Sequence, residues 1–241
     1  MRYGIFSDIH GNLQAAEAVI SAFKQEHISG YFCVGDIIGY GANPRECIRA
    51  VKDLKVVCIA GNHDWAVLGK TDITYFNSAA AEAVVWTQNQ LSEEDFTFLK
   101  GLELTFKNEY FILVHGTLRD PEHFNYLFEQ KQALEIFRLM DRPVCFVAHT
   151  HVPGVFLQTS TNIVYSSAVD IQIQKEYRYI VNVGSVGQPR DGNPMASYCI
   201  YDTQAKTICV KRIPYDVKEA QKRILDAGLP PFLASRLASG R

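Results

Sequence analysis

Three short apolar runs alternate with helix-like segments in the first quarter of the chain. The runs cover residues 3–7, 31–34 and 56–60. Between the first two, apolar positions recur at helical spacing over 13–23, and Asn43-Pro44 is typical of a helix start, here for a helix through Val51. This order predicts a βαβαβ unit with parallel strands. The third run stops at Gly61, which predicts a buried strand.

Strands and helices are also predicted over the rest of the chain. Helices are predicted over 77–91, from Ser92 with Asp95 as its capping partner, over 129–140, and from Asp216 to Gly228. Strands are predicted at 104–106 and 110–114 as a hairpin, at 144–148, 154–158, 162–165 and 179–183, and at 197–201 and 207–211 as a second hairpin. Because no repeat or linker interrupts this pattern, we expect one α/β domain over residues 1–241.

Polar side chains follow five of these predicted strands. The clusters are Asp8 with His10, then Asp36, then Asn62 with His63, then His115, and finally His149 with His151. Five of the seven histidines therefore lie at strand ends. One such cluster alone is usually a cap or a solvated loop, but five together indicate a metal site with room for two ions. Oxygen and imidazole donors suit Mn, Fe, Zn, Co or Ni, and the sequence does not choose among them.

Composition and charge limit the partners and the cellular location that we expect. The 241 residues are 47% hydrophobic and carry a net charge of -2, which does not favour a nucleic-acid or anionic-membrane surface. No apolar stretch is long enough to span a membrane, and the N-terminus enters a strand without a signal-peptide pattern. The six cysteines form no C-x-x-C pair. Reduced, mostly buried thiols favour a cytoplasmic protein.

The strand-end motifs resemble those of the calcineurin-like metallophosphoesterase superfamily. They occur in family order as Asp8-x-His10-Gly11-Asn12, Gly35-Asp36, Gly61-Asn62-His63-Asp64, His115-Gly116 and His149-x-His151, and residues 182–190 extend the match. The chain is most similar to the small, stand-alone phosphodiesterase and diadenosine-tetraphosphatase-like members. The resemblance implies a four-layer αββα sandwich of two mixed β-sheets, with the site at the strand ends.

The same resemblance implies two divalent metal ions, with manganese preferred. One ion would be held by Asp8, His10, Asp36 and His151, and the other by Asp36, Asn62, His115 and His149, with Asp36 bridging. A metal-bound hydroxide would attack phosphorus in line. His63 would be catalytic, protonating the leaving oxygen or holding it by a hydrogen bond. Asp64 would orient His63 or, as we prefer, cap the next helix.

Substrate contacts are less clearly marked by the sequence. Arg190, in a turn rich in Gly and Pro, is a candidate for binding phosphate. The alternative, an exposed arginine paired with Asp191, fits the sequence equally well. Asn12 is a second candidate, as donor to a phosphate oxygen or as helix cap, and Tyr40 and Arg119 are weaker ones. The segments 123–128 and 166–177 are candidates for specificity or for an interface.

Several functions are compatible with these motifs. The favoured one is a hydrolase of small phosphodiesters, dinucleoside polyphosphates or phosphomonoesters. Alternatives are a non-catalytic binding or scaffold protein on the same fold, a phosphoprotein phosphatase and a nuclease. The loop after Asp36 lacks the arginine of the serine/threonine phosphatases, and the net charge disfavours nucleic acid. The expected partner is a small phosphorylated substrate, with no membrane; the oligomeric state is not predicted.

Overall fold

Two mixed β-sheets packed face to face form the centre of the computed structural model, which describes residues 1–167 and 170–241. The strands are β1 (Arg2–Phe6), β2 (Gly30–Cys33), β3 (Val57–Cys58), β4 (Thr105–Lys107), β5 (Phe111–Val114), β6 (Val144–Val147), β7 (Gly154–Gln158), β8 (Ile163–Ser166), β9 (Asp170–Gln172), β10 (Arg178–Asn182), β11 (Ala196–Asp202) and β12 (Thr207–Ile213). The first sheet has the order β3-β2-β1-β11-β12-β9, and the second has the order β4-β5-β6-β10-β7-β8.

Helices cover the outer faces of the sheets. They are α1 (Leu13–Phe23), α2 (Pro44–Asp53), α3 (Asn62–Val67), α4 (Ser78–Gln88), α5 (Glu93–Lys100), α6 (Gln130–Leu139), α7 (Val217–Asp226) and α8 (Pro231–Ser235), with 3₁₀ turns at Ile73–Tyr75, Pro121–His123 and Arg236–Ser239. Within the described chain, none of them combines the length and apolar character that crossing a bilayer requires.

Three apolar layers hold the sandwich together. Val19 and Phe23 of α1 pack on the outer face of the first sheet, and Phe137 of α6 packs on the outer face of the second. Between the sheets, residues such as Ile5 and Phe146 form the central core. This arrangement is the predicted αββα sandwich, and it arises because the inner strands alternate between two buried faces.

Strand direction brings the predicted clusters together. Strands β1, β2 and β3 run parallel to one another, and so do β5, β6 and β10 in the other sheet. Since the carboxyl ends of parallel strands lie at one edge of a sheet, each sheet presents its polar loops at a single edge. The two edges meet where the His115 ring bonds to the Val34 carbonyl, 2.7 Å away.

The third predicted strand exists, but it is shorter and less buried than predicted. Only Val57–Cys58 forms a strand, and Val57 is 38% exposed, because β3 is the edge of its sheet with β2 as its strand neighbour. Ile59 and Ala60 are buried but turn toward Glu103, through a single bridge and a bond from Ala60 N–H to the Glu103 carbonyl. An apolar run marks burial, and burial does not require a paired strand.

Two elements were missed at sequence level. β9 lies within the segment 166–177, which was a candidate for specificity or for an interface. Residues 168 and 169 of this segment lie outside the described residues. The helix α8 follows Gly228 after only a short connection and begins at Pro231, a favoured first helical residue. The helix has only five residues and its Phe232 is exposed, so the sequence shows no amphipathic pattern there.

Candidate metal centre

Seven predicted ligands converge on one buried site. All of them are at most 9% exposed. Their donor atoms form two tight groups, one of Asp8, His10, Asp36 and His151 and the other of Asp36, His115 and His149. Asn62 lines the same cavity as Asp36 and His149.

Asp36 belongs to both groups, and its two oxygens have different environments. Oδ1 accepts the main-chain N–H of His63 at 2.8 Å, which ties it to the start of α3. Oδ2 has no hydrogen-bond partner in the described part of the chain and lies 3.6 Å from His10 Nε2 and 3.3 Å from His115 Nε2. One oxygen is therefore structural, and the other lies between the two groups.

Unpartnered polar atoms give an independent test of whether a metal fits. Buried polar atoms in proteins are nearly always hydrogen-bonded. Here several buried ligand atoms have no partner among the described residues: both carboxylate oxygens of Asp8, Oδ2 of Asp36, Oδ1 of Asn62 and Nε2 of His115. These are the oxygen and imidazole donors that divalent ions bind, so the residues present fit a metal centre.

The imidazole rings are oriented by main-chain carbonyls. The Nδ1 atoms of His10, His115 and His151 lie 3.2, 2.7 and 2.6 Å from the carbonyls of Ile38, Val34 and Gln188, respectively. Because each carbonyl accepts a hydrogen bond from Nδ1–H, Nε2 is the nitrogen of each ring that is left to bind a metal, and it faces the site. His149 is held differently, by stacking on Tyr126 with ring centroids 3.9 Å apart.

Electrostatics favour the protonation states that a metal needs at Asp8, His149 and His151. Burial would raise the pKa of Asp8, but the adjacent His151 and His10 hold that pKa well below its usual value. Burial lowers the pKa of His149 to about 3 and that of His151 to about 4. Ionised carboxylates and neutral imidazoles are the metal-binding forms of both residue types. Burial would lower the pKa of His115, but the adjacent Asp36 raises it to about 9, so a metal would displace a proton from this ring.

Backbone strain is concentrated at the same residues. Asp8, His10, Asp36, His149 and His151 all have left-handed backbone, with φ between 51° and 69°. Such a conformation costs a non-glycine residue about 1–2 kcal/mol. Strain persists where the surroundings enforce it, and it clusters at functional sites.

Asp64 holds the loop that carries Asp36. Its carboxylate accepts main-chain N–H groups of Asp36, Ile37, Ile38 and Gly61 at 2.9–3.4 Å. It thus caps α3, as preferred from the sequence, and it also fixes the β2 loop, which the sequence did not indicate. Gly61 is required there because a side chain would overlap the Asp36 carboxylate.

His63 faces the cavity beside the centre. It is 4% exposed, and its ring packs between those of Tyr40 and Phe76, with centroids 4.4 and 5.0 Å away. Its Nδ1 has no hydrogen-bond partner among the described residues, and burial lowers the pKa of the ring well below its usual value. The ring is therefore buried, neutral and free to bond to a ligand.

A cavity of about 580 Å³ opens above the centre. His63, Arg190 and Tyr126 line it, so the predicted specificity segment 123–128 does form part of the wall. Tyr40 also lines this cavity and is only 7% exposed, so this weak candidate from the sequence lies within the site.

The predicted substrate-binding residues differ in whether they reach the cavity. Arg190 lies in the cavity wall and donates to Gln188 Oε1 at 2.9 Å, while Asp191 pairs with Arg212, so the alternative pairing of Arg190 with Asp191 is wrong. Asn12 is engaged at both ends: Oδ1 accepts from Ala15 N–H at 3.1 Å, and Nδ2 donates to the Gly187 carbonyl at 2.9 Å.

Neither Asn12 nor Arg119 lines the main cavity. Asn12 instead joins the start of α1 to the loop that carries Arg190, which is a positioning role. Arg119 is paired with Glu135 at 3.1 Å on the surface.

Comparison with known proteins agrees with this geometry. Residues 1–206 match the family model of the calcineurin-like phosphoesterase superfamily domain. The chain is 39% identical to an uncharacterized protein of Methanocaldococcus jannaschii, over 98% of this chain and 97% of that one. It is 24% identical to the phosphodiesterase YfcE of Escherichia coli, over 86% of this chain and 91% of that one.

The fold is also shared with a solved structure. A metallophosphoesterase from Sphaerobacter thermophilus superposes with a TM-score of 0.88 at 36% identity, covering all of both chains. Members of the family depend on divalent metals, in agreement with the buried Asp and His cluster. The chain is therefore a phosphoester hydrolase and belongs to the calcineurin-like phosphoesterase superfamily.

Proposed function

We propose that the protein hydrolyses small phosphodiesters, dinucleoside polyphosphates or phosphomonoesters with two divalent metal ions. The observation that carries this proposal is the position of Asp36 Oδ2 between two groups of donor atoms. The first ion would be held by Asp8, His10, Asp36 and His151, and the second by Asp36, Asn62, His115 and His149. When bound, such ions activate water and neutralise the charge on phosphate oxygens.

The protein residues around this centre position the substrate. Arg190, from the cavity wall, would bind a non-bridging phosphate oxygen through its charged guanidinium. His63, whose ring is neutral in the free protein, would hold the leaving oxygen by a hydrogen bond, or would protonate it once the bound phosphate raises the pKa of the ring. The rings of Tyr40 and Phe76 on either side of His63 keep its side chain in one orientation and exclude water from it.

The limited charge of the ligand set supports a phosphate substrate. With Asn62 in place of a third acid, the ligands contribute two carboxylates, from Asp8 and Asp36. Two divalent ions would then leave the centre positive and attract an anion. Mn, Fe, Zn, Co and Ni all suit this donor set, and we propose manganese as the first to test.

A cytoplasmic location is part of the same proposal. All six cysteines are free thiols, and most of them are buried. Such thiols persist in a reducing compartment. We also propose that residues 1–241 form one domain, since both sheets contribute ligands to a single centre.

Hydrolysis of paired aryl substrates tests the proposal. The purified protein with added Mn would be assayed on p-nitrophenyl phosphate and bis(p-nitrophenyl) phosphate, and the rate ratio would show the preference for monoester or diester. Turnover that disappears in Asp36→Ala and His63→Ala supports the proposal. Metal uptake without turnover on either substrate would instead favour the non-catalytic scaffold.

A further inference from the structure

The cavity above the metal centre continues into a second chamber of about 510 Å³. The two spaces share Tyr40, Asn77, Tyr126 and Arg190 in their walls, so the second chamber adjoins the main cavity. The far side of the second chamber is formed by Phe232 and Arg236, from the C-terminal elements that the sequence did not predict.

The charge of the second chamber is one-sided. Its described lining carries two guanidinium groups, those of Arg190 and Arg236, and no carboxylate. Within residues 1–167 and 170–241, neither arginine is paired with an Asp or Glu side chain. The main cavity differs, since Asp72 and Glu122 are part of its rim.

The two arginines retain unused hydrogen-bonding capacity. Arg236 donates from Nε to a main-chain oxygen of Arg241, the last residue of the sequence, and neither of its terminal nitrogens bonds to a described residue. Arg190 donates from Nη2, while its buried Nε has no partner within residues 1–167 and 170–241. An anion bound between two guanidinium groups would accept from their free donors and offset the repulsion between them.

The position of Arg236 is fixed by the fold. Leu233 and Leu237, on either side of it, are at most 3% exposed and pack with Tyr40 in one apolar cluster. The Gly240 carbonyl accepts from Gly192 N–H at 2.9 Å, which ties this turn to the loop that carries Arg190. Phe232, by contrast, is 57% exposed at the chamber.

We propose that Arg236, with Arg190, binds a second phosphoryl group of the substrate, beyond the one that is cleaved. This inference rests on the proposed function and selects within it the substrates that carry a phosphate chain, such as dinucleoside polyphosphates. The Phe232 side chain is 57% exposed, and the Arg236 guanidinium lies over its ring at 5.1 Å from the centroid, so a nucleobase would stack on the opposite face.

Arg236→Gln tests the proposal, with Arg138→Gln as the matched control, because Arg138 is exposed on α6 and lines neither chamber. For each Mn-loaded variant, kcat/KM would be measured on diadenosine tetraphosphate and on bis(p-nitrophenyl) phosphate, which has a single phosphate. We expect the loss in Arg236→Gln to be larger on the first substrate by about tenfold, as for a lost charge-assisted bond. Equal losses on both substrates, or no loss on the first, would overturn the proposal.

Calorimetric binding of inorganic tripolyphosphate and inorganic phosphate separates this proposal from the proposed function. Arg236→Gln should weaken tripolyphosphate binding by about tenfold relative to Arg138→Gln, and phosphate binding by much less. If the wild-type protein turned over none of the substrates, the proposed function would fail, and this binding difference would still decide the role of Arg236. Equal tripolyphosphate affinity in the two variants would contradict that role.

Discussion

The metal centre and the wall of the cleft are built in different ways. The centre is made of buried side chains that directly follow strands, with their rings fixed by main-chain carbonyls. The wall is made of loop and terminal residues, and Tyr126 and Phe232 in it are 43% and 57% exposed. From this difference between the centre and the wall, we infer that the centre performs the chemistry and that the wall selects the substrate. Variants in the two regions should therefore fail in different ways.

The largest effect is expected for Asp36→Asn in the centre. Asparagine has nearly the same shape and tolerates left-handed backbone, so the change mainly removes the charge shared by the two groups. We expect metal binding to fall from two ions to at most one, and hydrolysis of bis(p-nitrophenyl) phosphate to fall by about a thousandfold or more. Elemental analysis and steady-state kinetics measure both quantities.

Asp53→Asn is the control for that change, since Asp53 is exposed on α2 and lies outside the cleft. It should retain wild-type metal content and rate. Full activity in Asp36→Asn would show that the centre does not depend on a shared carboxylate.

The next effect is expected for His63→Gln, which lies at the boundary between the two regions. Loss of a general acid typically costs about a hundredfold to ten-thousandfold in rate. We expect kcat to fall in this range while metal content stays at the wild-type value, because His63 is outside both donor groups. His27→Gln, at an exposed histidine, should change neither quantity.

The loss in His63→Gln should also depend on the leaving group. It should be smaller for p-nitrophenolate, which leaves easily, than for an alkoxide from an alkyl phosphodiester. An equal loss for both leaving groups would argue that His63 acts on something other than the leaving oxygen.

Arg190→Gln in the wall should have a smaller effect of a different kind. A lost charge-assisted hydrogen bond costs about 1.5–3 kcal/mol, so kcat/KM should fall by roughly tenfold to a hundredfold. Metal content should be unchanged, whereas any centre variant should alter it. If Arg190→Gln lost metal, the proposed separation of centre and wall would be wrong.

The smallest effect on activity is expected for Asp64→Asn, and its main effect should be on stability, because Asp64 supports the centre and is not one of the proposed ligands. Asparagine cannot accept all four main-chain N–H groups, so we expect a loss of about 1.5–3 kcal/mol in the free energy of unfolding, measured with urea. Asp216→Asn is the control, because asparagine caps a helix as well as aspartate does. A change as small as that of the control would show that Asp64 is not needed to hold the Asp36 loop.

The difference between the centre and the wall also explains which residues the sequence could predict. Proposed ligands such as Asp8 and His151 follow apolar strands directly, so the local pattern and the motifs brought them out, and α1 was predicted with its observed limits. The fold class followed from the resemblance and from the order of strands and helices. The edge position of β3 was not predictable, because it depends on which strands pair across the sheet.

Wall residues were harder to predict for a physical reason. Arg236 is far from every motif in sequence, and it reaches the cleft only because Leu233 and Leu237 anchor its turn against Tyr40. Asn12 shows the opposite case, a motif residue whose side chain the fold uses for a cap and a loop contact. The cap is local and was predicted, whereas the Asn12 contact with Gly187 and the position of Arg236 depend on contacts across the tertiary structure.

The central claim is a centre of two metal ions that share Asp36, and a metal titration of the metal-free protein tests it most directly. Mn would be added in steps while bound metal per chain and hydrolysis of bis(p-nitrophenyl) phosphate are followed together. We predict that turnover appears mainly as the second equivalent binds and levels off at two ions per chain. Full turnover at one equivalent, or two bound ions without turnover, would contradict the account.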